Sequence, residues 1–247
     1  MGLGFDGSGD GGFDLSQRMK EQSKHGDSIW YLEYPMTFCG MELGRRVSVL
    51  EVAPGKLVLH STGPFTLKDR ETIERSGRVV AIVEATTLHD TFAKQGQAAF
   101  PEAPYLVPEG FPKGAIGGQG RSISESRDLL GEGLEVVKLE GTRMLTEYSC
   151  FHRASRTLIL ADLMLNLPKA NGWTGWALRW LAGVKEWPAI DRPFRMAVKN
   201  KAVFEESLNK ILEWDFDRVV VAHGEVVETN GKAVFTEAVK RAGFLAG

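Results

Sequence analysis

The chain of 247 residues is 43% hydrophobic and 25% charged, a composition that is typical of a globular protein. Its formal net charge of −2 excludes the basic excess of a nucleic-acid-binding domain, so no nucleic-acid partner is expected. No run approaches the roughly 20 apolar residues that span a bilayer, and the first residues lack the pattern of a secretory signal. These features predict a cytoplasmic protein with no membrane span, and they leave the oligomeric state open.

The composition changes near residue 28, which divides the chain into two parts. Glycine occupies six of the first twelve positions, and polar residues follow as far as Asp27. We therefore predict a flexible, glycine-rich lead over residues 1–27 and one α/β domain over residues 28–247. The two cysteines, Cys39 and Cys150, are too few for a disulfide framework. Both lie in apolar-rich stretches, so buried free thiols are predicted.

Short apolar runs bounded by turn residues predict strands in the first half of the domain. They are Ile29–Tyr34, Val47–Ala53, Lys56–His60, Val79–Ala85 and Tyr105–Val107. Thr66 is followed by lysine, aspartate and glutamate, and it is expected to cap a helix that runs through Arg75. A second helix is predicted over Asp90–Phe100, where Pro101 ends it.

The second half begins with consecutive strands. They are predicted at Leu134–Leu139, Met144–Phe151 and Thr157–Ala161, with a solvated hairpin tip at His152–Arg156. A helical segment over Val198–Glu213 is followed by a strand at Arg218–Ala222 and a helix near Phe235–Ala242. Two β-rich blocks interleaved with helices predict a sheet-on-sheet core that is flanked by helices.

A tryptophan-rich segment, residues 173–187, precedes the helical segment. Trp173, Trp176 and Trp180 are three and four residues apart, which places them on one face of a helix. We interpret this face as a core stripe or a lid. An exposed face would instead indicate a surface for a partner or an apolar ligand.

Three of the predicted strands lead into a residue that can bind a metal ion. The run Val79–Ala85 leads into His89. The run Thr157–Ala161 leads into Asp162, and Arg218–Ala222 leads into His223. Ligands of α/β folds collect beyond the carboxyl ends of such strands. We therefore expect these three side chains to converge on one site.

At Val79–Phe92, His152–Leu167 and Asp217–Gly224 the chain resembles the metallo-β-lactamase-like fold superfamily. More closely, it resembles a branch of unknown function in which the metal motif is degenerate. The similarity covers the chain from Ile29 to the C-terminus. It implies a four-layer αβ/βα sandwich with a site along one edge of its two sheets.

Superfamily members with full chemistry carry an H-x-H-x-D-H motif after a strand, followed by three more ligands. In this chain the corresponding positions are, in order, Thr87, His89, Thr91, Phe92, a position near Glu140, Asp162 and His223. An early strand-end Asp of the superfamily falls on Ser61. At least three ligands are thus replaced by threonine or phenylalanine, so the two-metal chemistry is not carried over to this chain as an established property. Glu140 is a candidate substitute for one missing histidine.

His89, Asp162 and His223 remain as a set of two histidines and one carboxylate. This set suits Zn²⁺ with a water in an open position, or non-haem Fe(II). The alternative is a relic site, in which these side chains bond to one another and no metal binds.

The residues expected to border the same edge are His60, Ser61, Thr87, Asp90 and Glu140. Glu84 lies inside an apolar strand and would need a partner or a raised pKa if it is buried.

These observations support three functional hypotheses. The first is a metal-dependent hydrolase with a reduced site that holds zinc or iron and acts on an unknown small molecule. The second is a non-catalytic ligand-binding or scaffold protein that kept the fold and lost the metal. The third is an iron-dependent oxidoreductase that uses the same residues. Neither the substrate nor the metal follows from the sequence.

Overall fold

Two β-sheets form the centre of the molecule, whose computed structural model describes residues 28–38, 41–116, 120–169 and 172–245. The predicted lead over residues 1–27 lies outside the described residues, as does Cys39. The strands are β1 (Ile29–Tyr34), β2 (Thr37–Phe38), β3 (Met41–Glu42), β4 (Arg45–Ala53), β5 (Lys56–His60), β6 (Arg78–Val83), β7 (Tyr105–Val107), β8 (Arg121–Ser122), β9 (Leu134–Lys138), β10 (Tyr148–His152), β11 (Thr157–Leu160) and β12 (Arg218–Val221). The helices are α1 (Leu67–Ser76), α2 (Ala93–Ala99), α3 (Gly172–Ala182), α4 (Arg192–Ala197), α5 (Lys201–Glu213) and α6 (Gly231–Arg241).

The first sheet has the strand order β1-β4-β5-β6-β7-β8. β4 is antiparallel to both β1 and β5, whereas β5, β6, β7 and β8 run parallel to one another. The parallel pair β5–β6 needs a crossover connection, and α1 supplies it. Thr66 caps α1 as predicted, because its side chain accepts a hydrogen bond from the Asp69 backbone N–H while the Asp69 carboxylate accepts one from the Thr66 N–H.

The second sheet has the order β12-β11-β10-β9. β9, β10 and β11 form an antiparallel meander, and β12 returns parallel to β11 after a connection that contains α3, α4 and α5. In this parallel pair Leu160 lies opposite Val221. The carboxyl ends of β11 and β12 therefore meet at the same edge of the sheet.

Buried apolar residues fall into three clusters that separate four layers. One cluster fills the space between the sheets and includes Val83 and Ile159. A second cluster joins the outer face of the second sheet to the helices through Leu158 and Phe204. A third cluster includes Ile73 of α1 and covers the outer face of the first sheet. This α/β/β/α order confirms the predicted four-layer sandwich. Within the described ranges, every helix is too short or too polar to span a bilayer.

Three predicted elements begin later in the structure than predicted. The strand predicted from Met144 begins only at Tyr148, because Met144 has a φ of 67°, which belongs to the left-handed region and not to a strand. The helix predicted over Val198–Glu213 begins only at Lys201, because Asn200 caps it by accepting a hydrogen bond from Val203 N–H. The helix predicted from Asp90 begins later, at α2.

His152 was predicted to lie on a solvated hairpin tip, but it is fully buried at the end of β10. Its Nε2 donates a hydrogen bond of 2.9 Å to the Glu51 carbonyl of β4, in the opposite sheet. Its Nδ1 lies 2.7 Å from Ser155 Oγ. A carbonyl can only accept, so Nε2 carries a proton. Burial lowers the pKa of His152 below the ordinary value of 6.5.

We expect His152 to make the protein less stable in mild acid. Because the pKa of His152 is lower in the folded state, the unfolded chain binds a proton more readily once the pH falls below 6.5. The free energy of unfolding should therefore decrease from pH 7.5 to pH 5.5 in urea titrations. His152→Gln, which retains a donor for Glu51, should show a smaller decrease. An identical pH dependence in both proteins would contradict this assignment.

Candidate metal centre

Two of the candidate ligands follow neighbouring parallel strands. Asp162 comes two residues after Leu160 of β11, and His223 comes two residues after Val221 of β12. Because Leu160 and Val221 are paired, the two side chains emerge side by side at the carboxyl edge of the second sheet. The hydrogen bond of 3.2 Å from Asn166 N–H to the His223 carbonyl keeps the segments that follow the strands together.

The third candidate ligand comes from the opposite sheet. His89 lies in the loop between β6 and α2, and it is buried. This loop is fastened to the second sheet, since Tyr148 N–H donates to the Ala85 carbonyl at 2.8 Å and Thr87 N–H donates to the Thr146 carbonyl at 3.0 Å. The site therefore lies where the edges of the two sheets meet.

The three side chains point their potential ligand atoms at one another. His89 Nε2 lies 3.1 Å from Asp162 Oδ1 and 3.2 Å from His223 Nε2, and His223 Nε2 lies 3.5 Å from Asp162 Oδ1. Atoms that share a tetrahedral Zn²⁺ at bond lengths of about 2.0–2.1 Å lie about 3.3 Å apart. In addition, Asp162 Oδ2 is buried without a hydrogen-bond partner among the described residues. The arrangement could therefore accept a metal ion without rearrangement of the backbone.

The orientation of His223 is fixed by the turn that precedes β4. Its Nδ1 lies 2.7 Å from the Gly44 carbonyl, which can only accept, so Nδ1 carries a proton. Burial lowers the pKa of His223 and keeps the ring neutral, although Asp162 acts in the opposite direction. The lone pair on Nε2 therefore faces the other two ligands, which is the tautomer that metal coordination requires.

His89 has a carboxylate on each side. Its Nε2 faces Asp162, and its Nδ1 lies 3.7 Å from Glu84 Oε1. Burial and the charge of Arg45 lower the pKa of His89, but the two carboxylates outweigh them and the pKa is raised. Burial would raise the pKa of Asp162, but the two histidines hold it well below its usual range. A metal ion at this position would displace the His89 proton from Nε2.

Glu84 is the centre of a buried polar network beneath His89. Its Oε1 accepts hydrogen bonds of 2.9 Å from Arg45 Nη2 and from Ser61 Oγ. Its Oε2 accepts hydrogen bonds from Thr62 Oγ1 at 2.7 Å and from Tyr105 OH at 3.0 Å. Burial alone would raise the pKa of Glu84, but Arg45 and the donors lower it, so the carboxylate is ionised. Glu84 thus has the partners that its burial requires.

A second buried carboxylate, Glu147, holds the backbone that carries Asp162. It accepts hydrogen bonds from the N–H groups of Ala161 at 3.1 Å, Asp162 at 3.0 Å and Leu163 at 3.1 Å. Burial and the nearby charge of Asp162 raise the pKa of Glu147 well above its usual range, although the three N–H donors act in the opposite direction. Glu147 fixes the end of β11 and, with it, the position of Asp162.

The predicted neighbours occupy different positions relative to this cluster. Ser61 contacts the site through Glu84, and Thr87 supports the loop by accepting a hydrogen bond of 3.2 Å from Thr146 N–H. His60 is buried, its Nε2 has no hydrogen-bond partner among the described residues, and burial lowers its pKa to about 4. Asp90 is exposed.

Glu140 was the candidate substitute for a missing histidine ligand. Its side chain is 52% exposed and lies 3.4 Å from Lys138 Nζ. Within the described part of the chain, no contact joins it to His89, Asp162 or His223. The carboxylate that the structure places next to Asp162 is Glu147 instead.

Glu147 and Arg45 were not among the site residues predicted from the sequence. Glu147 lies within a predicted strand, so it gives the same signal as Glu84, a carboxylate inside an apolar run. Arg45 begins β4 and is buried, and its Nε donates to the Thr62 carbonyl at 3.1 Å. The pair Arg45-Arg46 at the start of an apolar run would have been the signal to follow.

Solved structures of metallo-β-lactamases share this fold. The enzyme from Pontibacter korlensis aligns with a TM-score of 0.56 at 13% identity, over 91% of this chain and 98% of that one. The enzyme from Erythrobacter litoralis gives 0.57 at 10% identity, over 94% and 98%. A metallo-β-lactamase from Pseudomonas aeruginosa in a mono-zinc form gives 0.55 at 10% identity, over 88% and 92%. No protein-family model and no curated protein matches the chain. The chain therefore has the metallo-β-lactamase-like fold.

Proposed function

We propose that this protein is a metal-dependent hydrolase whose site holds one divalent metal ion through His89, Asp162 and His223. The observation that carries the proposal is the triangle of ligand atoms, with sides of 3.1, 3.2 and 3.5 Å. Two imidazole Nε2 atoms and a carboxylate oxygen, all buried or half-buried, form a donor set that zinc and iron both accept.

Hydrogen bonds position two of the proposed ligands, and the third has a carboxylate beside it. The Gly44 carbonyl orients His223, and Glu84 lies beside Nδ1 of His89. Glu147 fixes the backbone of Asp162. Groups of this kind typically contribute a factor of about 10–100 to metal affinity or activity. A metal ion bound there would lower the pKa of a coordinated water to about 7 and act as a Lewis acid.

Several features support one metal ion in preference to two. The superfamily positions at Thr87, Thr91 and Phe92 offer no imidazole or carboxylate. Thr87 Oγ1 is already used by the Thr146 N–H, Thr91 is exposed, and Phe92 lies at the N-terminus of α2. A mono-zinc form exists among the structures with the same fold. We expect a single-metal centre.

The test is metal analysis of the full chain, purified without a histidine tag. We expect close to one zinc or iron ion per chain, loss of this metal to a chelator, and a lower melting temperature after its removal. Turnover of activated ester and phosphodiester probes should disappear with the metal and return when it is restored. Iron with oxidation of a substrate, and no hydrolysis, would favour the oxidoreductase.

Two outcomes would overturn the proposal. Two ions per chain would contradict a single-metal site. A protein that contains no metal, gains none from zinc or iron solutions and melts at the same temperature in chelator would be the non-catalytic binding or scaffold protein. In that case the buried pair of His89 and Asp162 serves only the fold.

A further inference from the structure

Two of the three tryptophans on the predicted helix face, Trp176 and Trp180, form an exposed surface and not part of a core stripe. Trp176 is 56% exposed and Trp180 is 63% exposed, and their rings stack with centroids 6.5 Å apart. They are four residues apart on α3 and so lie on one helix face. Leu181, next to Trp180, is 51% exposed. Large aromatic residues so exposed and contiguous mark a surface that is covered by something else.

This surface continues onto α4. Arg192 and Met196 are four residues apart on α4, both are exposed, and Met196 is 65% exposed. The Arg192 guanidinium lies beside the backbone of Gly183, so the start of α4 lies next to the end of α3. We refer to Trp176, Trp180, Leu181, Lys185, Arg192 and Met196 as the α3–α4 surface.

The segment that carries the α3–α4 surface is basic, in a chain that is acidic overall. Residues 172–199 carry five basic and two acidic side chains, whereas the formal net charge of the chain is −2. Both acidic side chains already have partners. Glu186 pairs with Arg241, and Asp191 accepts a hydrogen bond of 2.8 Å from Phe194 N–H. Within the described residues, neither Lys185 nor Arg192 forms an ion pair.

We propose that the α3–α4 surface docks the protein on anionic lipid bilayers. Tryptophan is enriched where protein meets the membrane–water interface, because its ring has both an apolar body and a polar N–H. Basic side chains next to such rings are attracted by anionic headgroups. The α3–α4 surface has both features, exposed tryptophan rings and basic side chains next to them. Docking of this kind needs no membrane-spanning helix.

The charge of the surface favours a lipid over a second copy of the chain. A twofold-symmetric dimer would place the basic residues of one copy against the same residues of the other. Like charges brought together in this way disfavour association. An anionic bilayer provides the complementary charge and an apolar layer for the rings. The inference does not depend on the proposed metal chemistry.

Sedimentation of the full chain with vesicles tests the proposal. We expect binding to vesicles of phosphatidylcholine with 30% phosphatidylserine, and at least about tenfold weaker binding to pure phosphatidylcholine. Added salt should weaken the binding. Trp176→Ser with Trp180→Ser should reduce it by at least about tenfold, because the apolar area that enters the interface is lost. Lys185→Ala with Arg192→Ala should reduce it by about fivefold for each charge.

Matched variants on other helices serve as controls. Leu67→Ser removes an apolar side chain that is 81% exposed on α1. Lys68→Ala with Lys210→Ala removes two exposed charges from α1 and α5. These variants should bind anionic vesicles as the unaltered chain does. Failure to bind, or equal binding to neutral and anionic vesicles, would overturn the proposal. So would a dimer that dissociates in the tryptophan variant, because a second copy would then cover the surface.

Discussion

Replacing His223 by alanine is expected to lower the affinity for Zn²⁺ by about three orders of magnitude. A zinc site in a protein binds with roughly 12 kcal/mol, and each of three protein ligands contributes on the order of a third of it, which is about 1000-fold. The variant also loses the bond from Nδ1 to the Gly44 carbonyl, which contributes about 1 kcal/mol to stability. The fold should survive, because the neighbouring core does not depend on this side chain. Competition against a chromogenic chelator measures the affinity.

His152→Gln is the matched control for this prediction. Both histidines are buried at the end of a strand of the second sheet, and each bonds to a backbone carbonyl of the segment around β4. His152 has no contact with the metal candidates among the described residues. Its replacement should therefore change stability and leave the zinc affinity unchanged. Equal affinity losses in the two variants would show that the His223 effect is a general loss of structure.

The strand-end pattern made the convergence of His89, Asp162 and His223 predictable from sequence. The signal for each was a short apolar run with a metal-binding residue just beyond it. The reason is physical, because a parallel pair such as β11 and β12 has both carboxyl ends at one edge. The same reasoning does not determine whether a metal is bound, since a relic site would keep the same backbone.

The groups that position these ligands were less accessible to sequence reasoning. Arg45 begins β4 and Glu84 follows the end of β6, 39 residues later, so their pairing depends on the strand order of the finished sheet. Glu147 lay inside a predicted strand that was too long, so no site role was predicted for it. Glu140 was predicted instead, because a ligand position of the superfamily pattern falls near it. Local patterns identify elements, but a buried polar network is defined only by three-dimensional neighbours.

The exposure of Trp176 and Trp180 likewise could not be predicted from local sequence patterns. Spacing placed Trp176 and Trp180 on one helix face, and in the structure their rings stack. Periodicity cannot tell which way that face points, because an apolar stripe that faces the core and one that faces a partner have the same sequence pattern. The local charge was the missing clue, since basic residues are concentrated around the pair.

Replacing Glu84 by alanine is expected to destabilise the protein by about 3–5 kcal/mol, because it leaves a buried arginine without its counter-charge. Arg45 and Glu84 are both almost fully buried, at 2.9 Å from each other. Three hydroxyl donors would lose their acceptor as well: Ser61, Thr62 and Tyr105. Urea unfolding at pH 7.5 measures the loss. Tyr105→Phe, which removes a single hydrogen bond to the same carboxylate, should cost only about 1 kcal/mol.

Glu84→Gln separates the structural role of this carboxylate from its role beside His89. Glutamine retains the shape and one acceptor oxygen, but it no longer provides a negative charge 3.7 Å from His89 Nδ1. We expect zinc affinity to fall by about 10–100-fold in this variant, as for other carboxylates that orient a ligating histidine. Tyr105→Phe should retain the unaltered affinity.

Arg45→Met completes a double-mutant cycle with Glu84→Met. If the two charges stabilise each other, the double variant should lose about 1–3 kcal/mol less than the sum of the two single variants. If the stability losses of the two single variants simply add in the double variant, Arg45 and Glu84 do not stabilise each other. In that case the network around Glu84 would act on the fold through its hydroxyl donors alone, and only the loss of zinc affinity in Glu84→Gln would connect it to the proposed metal site.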